Sequence, residues 1–132
     1  MPTVFEKLNL KEQREIVVAH APPEFDPVVS ALAGVTVCRD VRKAKTIAFC
    51  LVFVTCQQDL EAIAPAIVAK AAGDAVVWFA YPKGSSKKYK SDLTRDKGWA
   101  VVKDAGFDTV RQVAIDDDWS ALRFRRVEFI GR

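Results

Sequence analysis

The chain has 132 residues, 50% of them hydrophobic, and a formal net charge of +3. That length and apolar content suit one compact domain with a core of its own, with no linker long enough to separate two. The charge is too mild to imply nucleic acid by global balance, and the longest apolar run, Thr46 to Val54, is far short of the roughly 20 residues that span a bilayer. The N-terminus also lacks the basic-then-apolar layout of a secretory signal, so a cytoplasmic location is expected and membrane association is not.

Phe5, Leu8 and Leu10 predict a short N-terminal turn packed on the domain, followed by a buried strand at Ile16 to Ala19. The strand runs into His20-Ala21-Pro22-Pro23, whose prolines lack the backbone donors that a phosphate cradle uses. Asp26 is placed to cap a helix with Pro27 at its first position, Phe25, Val28, Val29 and Leu32 fall at helical spacing, and Gly34 closes it. Val35 to Cys38 reads as a second strand and Thr46 to Val54 as a central one. Leu60, Ile63, Ala64, Ile67, Val68 and Ala71 form a helical stripe stopped by Gly73 and Asp74, with Pro65 predicting a kink or a later start.

Val76 to Tyr81 is apolar without alternation, as suits a strand covered on both faces, and Pro82 ends it. A basic loop follows, with Ser91 or Asp92 expected to cap a helix carrying Leu93, Ala100, Val101 and Ala105 to Gly106 and weakened by Gly98 inside it. Val110 to Ile115 and Trp119 to Ile130 read as an antiparallel pair joined at Asp116, Asp117 and Asp118, with Leu122 and Phe124 on one face and Arg123 and Arg125 on the other. Cys38, Cys50 and Cys56 follow no metal spacing and read as thiols in a reducing compartment.

This order of elements predicts an α/β fold: a single-domain, three-layer, Rossmann-like sheet, mostly parallel and ending in an antiparallel hairpin. Such a sheet resembles the class I S-adenosylmethionine-dependent methyltransferase fold. The phrases WFAYPKGSSKKYKSDLTRD (Trp78 to Asp96) and VAIDDDWSALRFRR (Val113 to Arg126) further resemble an uncharacterised bacterial family of short, methyltransferase-like domains of unknown function. The resemblance implies a fold and no established activity. It also exposes a departure, because methyltransferases place a glycine-rich turn after the first strand, where this chain has His20 to Pro23; Asp40 stands where their second-strand acidic residue falls.

Ligands of open α/β sheets collect at the carboxyl ends of strands, which puts the candidate site on the loop after Tyr81. Six basic residues against two acidic lie between positions 83 and 97. Lys83, Ser85, Ser86, Lys87, Asp92, Thr94 and Arg95 are the candidate anion or ligand set, because lysines and hydroxyls in a glycine-containing loop supply charge and donors together. Asp116, Asp117, Trp119, Ser120 and Arg123 are the supporting set, with Arg123 and Arg125 expected to pair with Asp116 to Asp118 or with Asp92 and Asp96. The same carboxylates offer a metal or general-base cluster, which capping and turn roles explain more simply, so no metal is expected.

Without a glycine loop, no cofactor is expected and the chain reads as a non-enzymatic binding module whose contact surface surrounds Lys83 to Arg95, for a small anion or a protein partner. The alternative is a divergent S-adenosylmethionine-dependent methyltransferase with Asp40 near the ribose and His20 or Asp92 near the acceptor; an anion or nucleotide sensor is a third reading. Nucleic acid is a poor fit with one exposed tyrosine, and the last strand offers an edge for a homodimer.

Overall fold

A computed structural model describes residues 4–8, 10–11, 13–94 and 97–130. The described elements are α1 (Val4–Lys7), β1 (Glu15–Ala19), α2 (Asp26–Ser30), β2 (Thr36–Cys38), β3 (Ile47–Phe53), α3 (Gln57–Lys70), β4 (Ala71–Pro82), α4 (Ala100–Lys103), β5 (Phe107–Ala114) and β6 (Trp119–Arg126), with short 3-10 turns at Pro23–Phe25, Val41–Lys43 and Val127–Phe129. They build a six-stranded sheet in the order β2-β1-β3-β4-β6-β5. The first four strands run parallel to their neighbours, and β6 lies antiparallel between β4 and β5. The mostly parallel sheet ending in a hairpin is therefore the observed architecture. Among the described residues no helix is long and apolar enough to cross a membrane.

Both faces of the central strands are apolar because both are covered. Val17, Cys50, Val52, Val77, Phe79, Leu122 and Phe124 pack with Leu60, Ala64 and Ile67 of α3 and with Trp99 and Val102. The alternate residues Ile16, Val18, Phe49, Leu51, Trp78 and Ala121 pack with Phe5, Leu8, Phe25 and Val29 on the other side. Two opposed cores explain why Val76 to Tyr81 shows no alternation: each side chain, whichever way it points, is removed from water. Trp78 is fully buried and donates its indole N–H to the Leu8 carbonyl at 2.7 Å, fastening the N-terminal segment to the sheet. Cys50 lies in the first core, where burial pushes its thiol up to about 12.

Several boundaries differ from the sequence expectation for identifiable reasons. Asp26 does not cap α2; the preceding turn already provides the helix entry, and the Asp26 carboxylate pairs with Arg39 at 3.0 Å. Gly73 and Asp74 do not stop a helix but lie inside β4, where the register jumps between Ile47 and Phe49 of β3. Gly73 absorbs that irregularity at φ 54°, and Asp74 takes the Arg125 guanidinium. The α3 helix starts at Gln57, before its apolar stripe, and continues through Pro65. No helix begins at Ser91 or Asp92: the chain is irregular up to α4, and Gly98 sits at φ 101° ahead of the helix rather than inside it. Val110 to Ile115 begins earlier, at Phe107, while β6 ends at Arg126 and turns, so Ile130 is outside the hairpin.

Candidate functional site

The strand order creates one topological switch point. From β1 the chain crosses to β2 on one side, then returns past β1 to β3 on the other. The loops leaving the carboxyl ends of β1 and β3 thus diverge, and a crevice opens between them where ligands of open α/β sheets bind. A cleft of about 450 Å³ lies there, lined by His20 after β1, Arg39, Asp40, Val41 and Arg42 after β2, and Asp59, Ala62, Ile63 and Ala66 of α3. That volume is in the range of small-molecule sites. One wall is apolar (Val41, Ala62, Ile63, Ala66), and the carboxylates of Asp40 and Asp59 supply acceptors on the others.

His20 turns the chain at φ 61°, the left-handed conformation that glycine ordinarily supplies. The backbone bend of a glycine turn is present here without the glycine. Asp40 accepts from the Arg42 backbone N–H at 2.9 Å and from its guanidinium through both carboxylate oxygens, at 3.2 and 3.1 Å. The Arg42 hydrogen bonds hold the Asp40 carboxyl below its usual range. Asp59 accepts from the Thr55 hydroxyl at 2.9 Å, the main reason its carboxyl is also held low, with the Cys56 thiol and the His20 ring adding to the effect. His20 and Asp59 thus both line the cleft, with the His20 ring acting on the Asp59 carboxylate. Among the described residues, however, no three of His, Cys, Asp and Glu are placed to hold a metal ion.

No family model matches the chain, and no curated protein matches it. Solved structures do. An S-adenosylmethionine-dependent methyltransferase from Aquifex aeolicus aligns with a TM-score of 0.60 at 14% identity, over 94% of this chain and 88% of that one. The fold is that of the S-adenosylmethionine-dependent methyltransferases. The magnesium protoporphyrin IX methyltransferase of Synechocystis, solved with S-adenosylmethionine bound, gives 0.58 at 9% identity, over 93% of this chain and 74% of that one. A phosphoethanolamine N-methyltransferase of Haemonchus contortus gives 0.56 at 11% identity; it covers 99% of this chain, which spans only 39% of that enzyme. At these identities the likeness concerns the fold.

His20 and Asp40, named in the sequence for the alternative reading, line the cleft, whereas the loop residues after Tyr81 form a different feature beside it; among the described residues of 83–97 none lines the cleft. Lys83 extends the end of β4 by donating its N–H to the Asp118 carbonyl at 2.8 Å. Ser86 donates to the Asp118 carboxylate at 2.8 Å and accepts from the N–H groups of Lys88 and Tyr89, so its hydroxyl organises the turn. Ser85 and Lys87 are exposed. Tyr89 and Lys88 both donate to Glu24, just past β1, at 2.5 and 3.2 Å. Because β3 lies between β1 and β4, the loop crosses the carboxyl end of β3. Tyr89 meets Trp119 at a tilt, with ring centroids 4.9 Å apart; Trp119 meets Phe53 edge-on at 5.0 Å, and Phe53 meets Phe25, also at 5.0 Å. An aromatic column therefore ties the loop to the sheet.

Asp92 accepts from the Gln57 backbone N–H at 2.8 Å, so it caps α3 rather than a helix of its own. Thr94 bridges Lys97 and accepts the Trp99 indole N–H on its carbonyl at 2.6 Å. Arg95 and Asp96 lie outside the described residues. Asp116 accepts from the N–H groups of Asp118 and Trp119 as a turn residue, Asp117 is exposed, and Ser120 is buried on β6 opposite Tyr81. Arg123 pairs with none of Asp92 and Asp116 to Asp118; it lies at the other end of β6, where its neighbour Arg125 takes Asp74. Those carboxylates are all near the carboxyl edge of the sheet, too far along the strand. The sequence reading overlooked Asp59, Val41, Ala62, Ile63 and Ala66; the strand-end rule applied to the strong strand at Ile47–Phe53 would have pointed to the start of α3.

The Glu24 anchor has a pH signature. The hydrogen bond from Tyr89, then that from Lys88, hold the Glu24 carboxyl below its ordinary value of 4.5. A carboxyl depressed in the folded state stabilises fully above its unfolded pKa, and the contribution is lost as pH falls through the folded value. The melting-temperature advantage of the wild type over Glu24→Gln is therefore expected to shrink as the pH falls below the ordinary value of 4.5; a constant difference would contradict the anchor.

Proposed function

We propose that the chain is a divergent S-adenosylmethionine-dependent methyltransferase that takes the adenosyl ligand in the cleft between β1, β2 and α3. The observation that carries the proposal is the coincidence of this cleft with the switch point of a methyltransferase sheet, with Asp40 following β2 at its rim. The donor set fits an adenosyl group. Val41, Ile63 and Ala66 give an apolar surface for a planar base, and a carboxylate beside it accepts hydrogen bonds from ribose hydroxyls. The paired prolines after Ala21 remove donors needed for a pyrophosphate, a group that S-adenosylmethionine lacks. The left-handed turn at His20 supplies the close bend at which glycine is dispensable.

When bound, S-adenosylmethionine supplies an electrophilic methyl group on a sulfonium. The chain's own contribution is placement and proton handling. Arg42 holds the Asp40 carboxylate ionised and oriented toward the cleft rim. His20 takes the proton that a hydroxyl or amine acceptor releases, and Asp59, itself fixed by Thr55, stabilises the resulting imidazolium.

Calorimetric titration with S-adenosylhomocysteine and S-adenosylmethionine tests this directly. Both are expected to bind, and Asp40→Asn is expected to weaken each about tenfold, the loss of about 1.4 kcal/mol in a charged hydrogen bond. An absence of heat with both compounds would overturn the proposal and favour the non-enzymatic binding module.

A further inference from the structure

At the end of the sheet opposite the cleft, three arginines converge on one face. Arg111 of β5 and Arg123 of β6 are direct register partners, and Arg125 follows two residues along β6 on the same side. Like charges placed opposite each other across a strand pair are destabilising, so this arrangement needs a compensating charge. The carboxylate that faces Arg123 and Arg125 is Asp74, and Arg125 already engages it through two hydrogen bonds of 2.8 and 2.7 Å. Arg123 is half-buried beside Trp78, its register partner on β4, and its Nε atom is buried with no hydrogen-bond partner. Burial first, and then the neighbouring Arg125 and Arg111 charges, push the Arg123 guanidinium down from its usual range. A guanidinium that is desolvated, crowded by two like charges and short of one acceptor is a costly arrangement on its own.

We propose that this face is a second binding site, for an oxyanion of the phosphate or carboxylate kind, held between the guanidinium groups of Arg123 and Arg111. The planar fork of arginine matches two oxygens of such a group, and a bound oxyanion offsets the like-charge crowding of Arg123 by Arg111 and Arg125. The floor is rigid, since Trp78 is fixed by its bond to the Leu8 carbonyl. Lys7, which donates to the Ala114 carbonyl at 3.2 Å, brings a further cation from α1 to the β5 strand. The site lies on the β6–β5 side of the sheet, away from the β1–β2 side that holds the adenosyl cleft, so it stands or falls independently of the proposed transfer activity.

Thermal melting of the full chain in inorganic phosphate, in succinate and in sodium chloride at matched ionic strength tests the site and separates the two oxyanion sources. The wild type is expected to melt several degrees higher in phosphate or succinate than in chloride. General exclusion of these salts from protein surfaces raises all variants alike. The specific increment is expected to disappear in Arg123→Gln and in Arg111→Gln. Arg111 is exposed, so its variant decides the matter if Arg123→Gln folds poorly. Equal melting in the three salts, or an increment undiminished in Arg111→Gln, would overturn the site.

Discussion

Gly98→Ala is expected to destabilise the protein by about 2 to 4 kcal/mol, from a left-handed strain of roughly 1 to 3 kcal/mol plus displaced packing. Gly98 sits at φ 101°, and a Cβ there would meet Leu93 Cδ2 at 2.4 Å. Leu93 has little room to retreat, because it is 3% exposed within the core beneath α3. The residue after the glycine, Trp99, packs on Tyr81 at 5.5 Å and Phe124 at 5.3 Å, while its indole N–H holds the Thr94 carbonyl. Gly98 therefore lets the chain double back so that Leu93 and Trp99 enter the same core. Losing that turn would also pull Asp92 from the start of α3, which borders the cleft. Gly84→Ala is the matched control: no atom lies within 4 Å of its added Cβ, and the change should stay within about 0.5 kcal/mol. Urea denaturation of the two variants measures the contrast, and equal stability would contradict the role of Gly98.

Ile63→Arg is expected to reduce adenosyl-ligand affinity by more than tenfold, over about 1.4 kcal/mol, while leaving the fold intact. Ile63 is half-buried on the cleft wall, one helical turn from Ala66 and Asp59, so a longer side chain can occupy the cleft without entering the close-packed core. The new cation also replaces apolar surface against which a planar base would lie, and it repels a sulfonium. The uncharged S-adenosylhomocysteine sulfur separates the two effects, since its affinity responds to the filled volume and lost apolar wall but not to sulfonium repulsion. Unchanged affinity for both compounds would place the ligand elsewhere.

The layers of this fold are legible in the sequence because burial on both faces leaves apolar runs at Val76 to Tyr81 and Thr46 to Val54, and because Leu122 and Phe124 alternate with Arg123 and Arg125 in the last strand. Strand order is not. The crevice exists only because β1 separates β2 from β3, and chain order alone does not show which strands become neighbours. The loop after β4 is conspicuous for its lysines; the fold ties its Ser86 to Asp118 and its Tyr89 to Glu24 over 32 and 65 residues, partners that spacing does not reveal, and leaves Ser85 and Lys87 exposed. Asp92 looked like the cap of the next helix, but caps α3 from a separation of 35 residues. A capping carboxylate serves whichever free N–H the fold brings near it, so Asp92 caps a helix distant in sequence and not the next one along the chain. Arg125 and Asp74 are similarly joined across 51 residues, beyond the reach of spacing arguments.

The most direct test of the adenosyl cleft is a residue-resolved amide NMR titration of the wild-type chain with S-adenosylhomocysteine. The expected result is a saturable set of shifts at His20, Asp40, Val41, Asp59, Ile63 and Ala66, with the β5–β6 end of the sheet unmoved. Shifts confined to the loop from Lys83 to Lys90, or a spectrum that does not change, would contradict it.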